Sequence, residues 1–300
     1  MTDFKPLVSI ISINYNEKEA TLDLLSSIQK LEYKNFEVII IDNASREDPS
    51  ADISRLFPEV KIIMSDENLG FAGGNNLGIK EAKGEYLFFV NNDAVLSSDC
   101  ISPLLETFQK HKDAGAVSPK FHYYNQPNII EYAGYSSINS ITGRNSTIGA
   151  NEIDHGQYDQ EGVTNYTHGG GMMVPKNIIE LVGPMPEDYF LYYEEFDWCE
   201  KMKSAGYQIY YQPKALVRHK VSVSVGKNST VKTYYLNRNR IYFMKRNKST
   251  LSYITFMIFL ILFTIPKNII QFLVKNEKEN LSAFRQAILW NFGVKSIPKL

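Results

Sequence analysis

An aspartate closely follows a short apolar segment near the end of the first third of the chain. Residues 86–90 are apolar and rich in aromatics, Gly84 precedes them, and Asp93 follows after two asparagines. This pattern predicts a buried strand, and open α/β sheets bind ligands at the carboxyl ends of their strands. Because hard cations prefer oxygen ligands, Asp93 could hold a divalent cation against a phosphate, or it could close the strand in an Asx turn.

The same arrangement occurs upstream, where residues 36–41 form a largely apolar segment that leads directly into Asp42. Two parallel strands that each end in an aspartate bring both carboxylates to one edge of a sheet. The repetition therefore favours a ligand-binding site over two unrelated turns.

The elements that must position these acids alternate along the first half of the chain. A β-rich run at 8–13 ends at Asn14, and a helix follows for which Asn16 is the expected N-cap. Strands are also predicted at 60–64 and near 116–117, a loop and helix over 68–83, and a helix near 99–111. This alternation predicts an α/β fold with a parallel sheet and helices on both faces. Residues 121–167 are polar and predict irregular loops on the acceptor side.

Two glycine-rich segments could lie against a ligand. The first, at 68–78, lacks both the Gly-Lys-Ser/Thr ending of a phosphate loop and the dinucleotide-binding spacing. Its Asn75 and Asn76 could bind a base, ribose or phosphate, or they could cap a helix. The second segment contains three consecutive glycines, among them Gly170 and Gly171, and backbone without side chains suits close approach by a sugar or phosphate.

A dense acidic and aromatic segment at 188–200 contains Glu194, Glu195 and Asp197. The helix dipole favours acids in a first turn, which accounts for one or two of them. Three acids among several aromatic rings indicate a sugar site, where a carboxylate abstracts a proton. His219 follows a strand-like run, and a single histidine of this kind is more often structural than a ligand.

Composition narrows the class of partner. Lys and Arg number 32 and Asp and Glu 33, so the net charge of -1 gives no general attraction to nucleic acid. The two cysteines, Cys100 and Cys199, form no disulfide framework or metal spacing, which predicts a reducing compartment. The N-terminus shows no pattern of a secretory signal.

The C-terminal part differs from the rest. Residues 251–265 carry no charge, basic residues precede them, and Pro266 interrupts the run before it reaches the roughly 20 residues of a bilayer span. We therefore expect an interfacial helix that meets anionic headgroups, with a buried or partner-covered helix as the alternative. The expected domains are 1–246 and a helical extension at 247–300.

Taken in order, these motifs resemble the family 2 glycosyltransferases, and in particular their bacterial rhamnosyltransferase-like branch. The resemblance covers roughly residues 6–246 and rests on the segments 8–16, 41–45, 68–78, 91–93, 168–171, 194–198 and His219. It implies a GT-A fold, a nucleotide-sugar donor, a Mg²⁺ or Mn²⁺ ion and inversion at the anomeric carbon. It also implies a glycan or lipid-linked acceptor in surface polysaccharide synthesis, at the cytoplasmic face of the cell membrane.

The resemblance assigns roles to the donor-side residues. Asp42 matches the acid that receives the nucleotide base, and Asn14 would lie in the same pocket. Asn91 and Asp93 match the outer positions of the family's Asp-x-Asp motif, with Asp93 the expected metal ligand. The chain departs from the motif at Asn91, whose neutral amide can still bind ribose.

The resemblance also assigns the proton acceptor and a second metal ligand. Glu195 aligns with the aspartate that usually serves as general base, and it is one methylene longer than that aspartate. Asp197 is the second candidate for the base. His219 resembles a histidine that completes the metal site.

Two other classes of protein share parts of this pattern. A nucleotidyltransferase would need a basic, glycine-rich loop near the N-terminus, and residues 8–16 contain no Lys or Arg. A non-catalytic sugar-binding module would keep the aromatics without needing both Asp42 and Asp93 at strand ends.

Overall fold

The computed structural model describes residues 5–220 and 229–293. The chain divides into two compact units. Among the described residues, the first contains 5–136, 147–190 and 194–220, and the second contains 137–146, 191–193 and 229–293.

The described residues of the first unit form one ten-stranded sheet. Its strands are β1 (Val8–Asn14), β2 (Phe36–Asp42), β3 (Lys61–Met64), β4 (Tyr86–Val90), β5 (Ala94–Leu96), β6 (Ala114–Tyr123), β7 (Gln126–Tyr132), β8 (Gly162–Thr164), β9 (Gly171–Pro175) and β10 (Gln208–His219). The helices are α1 (Lys18–Ile28), α2 (Ser50–Leu56), α3 (Gly70–Glu81), α4 (Ile101–Lys110), α5 (Lys176–Val182) and α6 (Glu194–Ser204), with a 3₁₀ turn at Glu187–Tyr189.

The sheet is mixed rather than parallel throughout. Its order is β3-β2-β1-β4-β9-β6-β10-β5, with β7 added to β6 and β8 to β10. Strands β1 to β4 are parallel neighbours, as the alternating pattern predicted, whereas β9 runs antiparallel to β4 and β5 antiparallel to β10. The parallel half therefore presents its strand ends, among them those of β1, β2 and β4, at one edge.

Helices cover both faces of the sheet, which confirms the predicted α/β architecture. On one face Ile10, Ile40 and Phe88 pack in a buried cluster with Leu24 of α1 and Leu104 of α4. The opposite face of β1 and β2 is covered by α3.

The glycines of α3 explain how closely this helix approaches the sheet. A Cβ atom at Gly78 would lie 2.5 Å from Ile11 Cγ2, and one at Gly74 would lie 2.8 Å from Ile13 Cδ1. No side chain fits at such distances. The glycine-rich segment at 68–78 thus serves helix-to-sheet packing at these two positions.

Two local predictions were wrong. Asn16 does not cap α1, which begins at Lys18; it has a φ of 57° and its side-chain oxygen accepts a hydrogen bond from Arg46 N (2.8 Å). Residues 121–167 are not irregular throughout, because β7 and β8 lie within them. Antiparallel pairing with β6 and β10 provides partners that the polar sequence of this region did not reveal.

The described residues of the second unit from 229 onward are mainly helical. They contain α7 (Thr230–Asn247), α8 (Thr250–Phe259), a π-helical segment (Leu260–Thr264), α9 (Ile265–Val274) and α10 (Lys278–Trp290). The stretch Thr250–Val274 forms one continuous helix of 25 residues, the one helix among the described residues that is long and apolar enough to cross a membrane. Pro266 was expected to interrupt it, but it lies in the first turn of α9, where the missing N–H is tolerated, directly after the wider π turn.

Candidate active site

The first cluster of the candidate site joins the ends of β1 and β2. Asn14 and Asp42 are register partners, and Asn14 Nδ2 donates to Asp42 Oδ1 (2.7 Å) and to Ser45 Oγ (3.1 Å). The second carboxylate oxygen of Asp42 accepts from Ser45 N (2.9 Å), and the residue is fully buried. Asp42 therefore organises the loop after β2, and its role toward a base stays a prediction.

Thr21 of α1 connects this cluster to the loop after β4. Its hydroxyl donates to Asn14 Oδ1 (2.8 Å) and accepts from Asn92 Nδ2 (3.1 Å). A continuous path of hydrogen bonds thus runs from Asp42 through Asn14 and Thr21 to Asn92, the residue before Asp93.

The second cluster lies where Asp93 meets His219. The short strand β5 pairs with the end of β10, so that Ala94 is opposite His219 and the neighbouring Asp93 comes close to the ring. Asp93 Oδ1 lies 3.1 Å from His219 Nε2, and Asp93 O accepts from Lys220 N (2.9 Å). The structure therefore brings together the two residues that the resemblance assigned to a metal.

Glu131, which the sequence analysis missed, completes this cluster. It lies on β7, and its two carboxylate oxygens lie 2.9 and 3.0 Å from His219 Nδ1. His168 Nε2 lies 3.9 Å from Glu131 on the other side. Asp93, His219, Glu131 and His168 form a row, called here the carboxylate–histidine row.

The protonation states of the residues in this row follow from their burial and from the charged groups beside each of them. Burial acts to lower the pKa of His219, but the carboxylates of Asp93 and Glu131 beside its two ring nitrogens raise it to about 10. Burial opposes ionisation of Asp93 as well, yet His219 keeps its pKa below the usual value. Burial lowers the pKa of His168 to about 4, so this second ring is neutral at pH 7.

Asp93 and His219 have the donor set and spacing of a cation-binding pair. Asp93 Oδ1 and His219 Nε2 are buried and neither forms a hydrogen bond of acceptable geometry, although the two atoms are neighbours. Two octahedral ligands at about 2.1 Å from one Mg²⁺ lie roughly 3 Å apart, close to the separation seen here.

The pair alone does not complete a coordination shell. Within residues 5–220 and 229–293 no group of three or more histidine, cysteine, aspartate or glutamate side chains is placed to hold an ion. Mg²⁺ is commonly bound through one or two protein ligands plus substrate phosphates and water. Asp93 and His219 therefore fit a cation that arrives with a phosphorylated ligand.

Glu195 lies in the first turn of α6 beside the three consecutive glycines. A Cβ atom at Gly169 would lie 3.5 Å from Glu195 Oε1, so Glu195 reaches the glycines at van der Waals distance. The Tyr135 ring lies 6.4 Å from that of His168 in the row, and burial and the charges of Glu195 and Glu131 raise the pKa of Tyr135 well above the usual value. The candidate base and the row thus belong to one polar region of the first unit.

Asp197 is placed differently. It is fully buried, and its Oδ1 accepts a hydrogen bond from Tyr189 OH (3.1 Å). Glu195 keeps 9% of its surface exposed. A proton acceptor must reach its substrate, and of these two acids Glu195 is the less buried.

The other residues predicted to bind the donor are engaged by the protein. Asn76 lies inside α3, where its amide donates to Met185 O and Glu187 Oε1 and accepts from Met185 N. Asn75 donates to Phe71 O one turn earlier in the same helix. Neither caps the helix, and their role toward a donor stays a prediction.

Asn91, Gly170 and Gly171 lie at the junction of β4 and β9. Gly170 O accepts from Asn91 N (3.1 Å), and Gly170 N donates to His168 Nδ1 (3.0 Å). A Cβ atom at Gly170 would lie 2.9 Å from His168 Nδ1, and one at Gly171 2.8 Å from the Phe121 ring. Both glycines are therefore required by protein contacts, and their contact with a ligand stays a prediction.

Known proteins are similar to this chain in sequence and in fold. Residues 9–165, just over half of the chain, match the family described as Glycosyl transferase family 2. A poly-beta-1,6-N-acetyl-D-glucosamine synthase of Staphylococcus epidermidis is 29% identical over 73% of this chain and 51% of its own length. The chain thus spans about half the length of that curated relative.

Two further similarities extend over more of the matched protein. The dTDP-rhamnosyl transferase RfbF of Shigella flexneri is 24% identical over 79% of both chains. The mannosyltransferase PcManGT of Pyrobaculum calidifontis, solved with GDP-Man and Mn²⁺, matches 99% of this chain and 78% of its own at a TM-score of 0.60 and 16% identity. That likeness confirms the GT-A fold. The chain belongs to glycosyl transferase family 2.

Proposed function

We propose that the protein transfers a sugar from a nucleoside diphosphate to a hydroxyl group, with inversion and with a bound divalent cation. The observation that carries this proposal is the Asp93–His219 pair, whose facing atoms are buried and 3.1 Å apart, close to the spacing of two ligands on one cation. The pair lies at the sheet edge where α/β folds bind ligands, in one polar region with Glu195. The proposed acceptor is a glycan or lipid-linked sugar of a surface polysaccharide; the S. epidermidis relative is named as the synthase of a polysaccharide and the S. flexneri relative as a dTDP-rhamnosyl transferase.

Each cluster then has one task. Asp42 and Asn14 receive the base of the donor, and Asn91 binds its ribose. Asp93 and His219 would hold Mg²⁺ or Mn²⁺, and the ion would supply Lewis-acid stabilisation of the charge on the diphosphate. Gly170 and Gly171, with Asn75 and Asn76, shape the wall against which the donor lies.

Glu195 takes the proton. The acceptor oxygen bonds to the anomeric carbon as the bond to the diphosphate oxygen breaks, and the hydroxyl proton passes to the Glu195 carboxylate. One displacement inverts the carbon and requires no protein nucleophile. Asp197, hydrogen-bonded to Tyr189, orients the first turn of α6 in this scheme.

The reaction is tested with purified protein, Mn²⁺ and separate dTDP-, UDP- and GDP-sugars. We expect one donor class to release its nucleoside diphosphate in the presence of Mn²⁺ and to stop doing so in EDTA. Binding of a donor without release, with or without glycan acceptors, would indicate a sugar-binding module instead. Release of pyrophosphate from a nucleoside triphosphate and a sugar phosphate would indicate a nucleotidyltransferase.

We further propose that the second unit attaches the protein to the cytoplasmic membrane surface. Its helix Thr250–Val274 exposes a broad apolar surface, including Leu251, Ile254, Ile258, Ile261, Leu262, Phe263, Ile270 and Leu273. Basic side chains stand near both ends, among them Lys245, Arg246, Lys275 and Lys278. These suit anionic headgroups.

An orientation in the plane of the membrane fits this helix better than a span. Phe256, Leu260 and Phe272 are buried within the second unit, and Phe272 packs on Phe284 of α10. One side of the helix is thus covered by protein, whereas the other is apolar and open. We therefore expect the open apolar side of this helix to contact lipid.

A further inference from the structure

Glu131 is held against the back of the predicted metal ligand. It lies on β7, which pairs with β6, and β6 pairs in turn with β10, the strand that ends at His219. The Glu131 carboxylate reaches His219 Nδ1 with both oxygens, at 2.9 and 3.0 Å. Only 14% of this side chain is exposed. The Glu131–His219 contact is therefore a buried interaction and not a surface ion pair.

The contact determines which ring nitrogen faces the cation site. A carboxylate at Nδ1 accepts the proton of that nitrogen, so Nε2, the atom beside Asp93 Oδ1, is the one that can coordinate a cation once its own proton is released. Histidine ligands of metals commonly donate their other N–H to a carboxylate, which fixes the ring and raises its basicity.

His168 lies on the opposite side of Glu131. Its Nδ1 accepts from Gly170 N (3.0 Å), so a neutral ring carries its proton on Nε2, which lies 3.9 Å from Glu131 Oε1. The close contacts of the Glu131 carboxylate are therefore those with His219, at 2.9 and 3.0 Å, rather than with His168.

We propose that Glu131 is a positioning residue that orients His219 for a divalent cation bound together with a nucleoside diphosphate. This inference rests on the proposed function and adds a residue to it. Glu131 itself does not touch the cation, the donor or the reacting atoms. A purely structural Glu131 would stabilise the end of β7 and leave cation affinity unchanged.

Two variants and a matched control test the proposal. Glu131→Ala removes the acceptor, and Glu131→Gln keeps its shape and an acceptor oxygen but removes the charge. The control is Glu161→Gln, because Glu161 forms a similar contact with a histidine, His111 Nε2 at 2.6 Å, outside the row. The Mn²⁺ dissociation constant is measured calorimetrically with each nucleoside diphosphate present, and folding is followed by thermal unfolding.

We expect Glu131→Ala to weaken Mn²⁺ binding by about 10- to 100-fold, Glu131→Gln to weaken it less, and Glu161→Gln to leave it unchanged. Excess Mn²⁺ should restore much of the donor turnover of Glu131→Ala, since the base and the donor pocket are intact. A folded variant, Ala or Gln, that binds Mn²⁺ as tightly as the wild type would overturn the positioning role alone. Wild-type protein that binds no Mn²⁺ with any nucleoside diphosphate would overturn the metal role and this inference together.

Discussion

Two aspartates with the same sequence context have opposite surroundings. Asp42 and Asp93 each follow an apolar strand, and both were predicted to lie at one sheet edge. Asp42 has hydrogen-bond partners for both carboxylate oxygens, from Asn14 and Ser45 N. Asp93 Oδ1 has none of acceptable geometry. The first residue is therefore expected to stabilise the fold, and the second to bind a ligand.

Replacing Asp93 should act mainly on turnover. Asp93→Asn keeps the shape and removes the charge that binds a cation, so we expect donor turnover to fall by at least about 10²-fold. The variant also loses the ion pair with His219 and should melt at a lower temperature, so turnover is compared where both proteins are folded. Initial rates and thermal unfolding of the same preparation measure both. Full turnover in Asp93→Asn would remove Asp93 from the metal site.

Replacing Asp42 should do the reverse. Asp42→Ala leaves the buried Asn14 amide and Ser45 N without their acceptor, which should cost about 1–3 kcal/mol of unfolding free energy. Donor affinity should weaken more than the rate at saturating donor, since base recognition is largely uniform binding. Urea unfolding measures the unfolding free energy, and donor titration measures the donor affinity. Normal donor affinity with a lost rate would contradict the assignment.

The choice of general base rests on two acids of α6. Glu195→Gln retains the side-chain shape without the proton acceptor, so transfer should fall by about 10² to 10⁴-fold while donor binding is kept. Asp197→Asn can still accept from Tyr189 OH and should have a smaller effect. Single-turnover transfer rates compare the two. An inactive Asp197→Asn with a nearly normal Glu195→Gln would make Asp197 the base.

At the scale of elements, the sequence predicted the parallel half of the sheet well. Strands β1, β2 and β4 are continuous apolar runs, as expected of strands covered on both faces. The antiparallel additions could not be predicted in the same way. β5 has three residues, and β7 begins with the exposed residues Gln126, Pro127 and Asn128, so neither shows a strand period.

This difference explains which site residues were found. Asp42 and Asp93 follow recognisable strands, and their positions at the sheet edge were predicted from them. Glu131 lies on β7, which was expected to be irregular, and a single glutamate in such a stretch carries no signal. Its contact with His219 depends on three strands whose pairing only the folded chain shows.

One buried network of these added elements should be pH-sensitive. Burial opposes ionisation of Asp154, but hydrogen bonds from Gly156 N, Lys120 and His122 lower its pKa to about 2. The unfolded value is near 3.9, so Asp154 stabilises the fold above about pH 4 and loses this effect as the pH falls toward 2. Lys120 is itself nearly fully buried.

We therefore expect Asp154→Asn to lower the unfolding free energy by about 1–2 kcal/mol at pH 7. The difference from the wild type should shrink steadily between pH 4 and pH 3. Urea unfolding of both proteins across this range measures it. A difference that is equally large at pH 7 and pH 3 would show that the charge of Asp154 is not responsible.

At the scale of the whole molecule, the chain pairs a glycosyltransferase fold with a helical unit that has an open apolar side. Leu262 and Phe263 are 61% and 60% exposed, so they contribute little to the packing of that unit. Leu262→Glu and Phe263→Glu together should abolish sedimentation with anionic vesicles and leave the melting temperature unchanged. Ile153→Glu, at a residue of the first unit that is 54% exposed, is the matched control.

Vesicle composition and salt distinguish the sources of membrane binding. Binding that weakens in neutral vesicles or high salt indicates the basic residues, because ions screen exposed charges. Wild-type protein that ignores vesicles but elutes as an oligomer would indicate a helix covered by a partner instead.

The hydroxyl of Thr21 fixes the distance between the two ends of the candidate site. Because it bonds Asn14 on one side and Asn92 on the other, the separation between the Asp42 and Asp93 ends is fixed by the protein before any donor arrives. A ligand that spans both ends binds to a preorganised site, so little conformational entropy is lost in bringing the two ends to the right separation. Molecules that carry the same base on a shorter phosphate chain would reach either the Asp42 end or the Asp93 end, but not both at once.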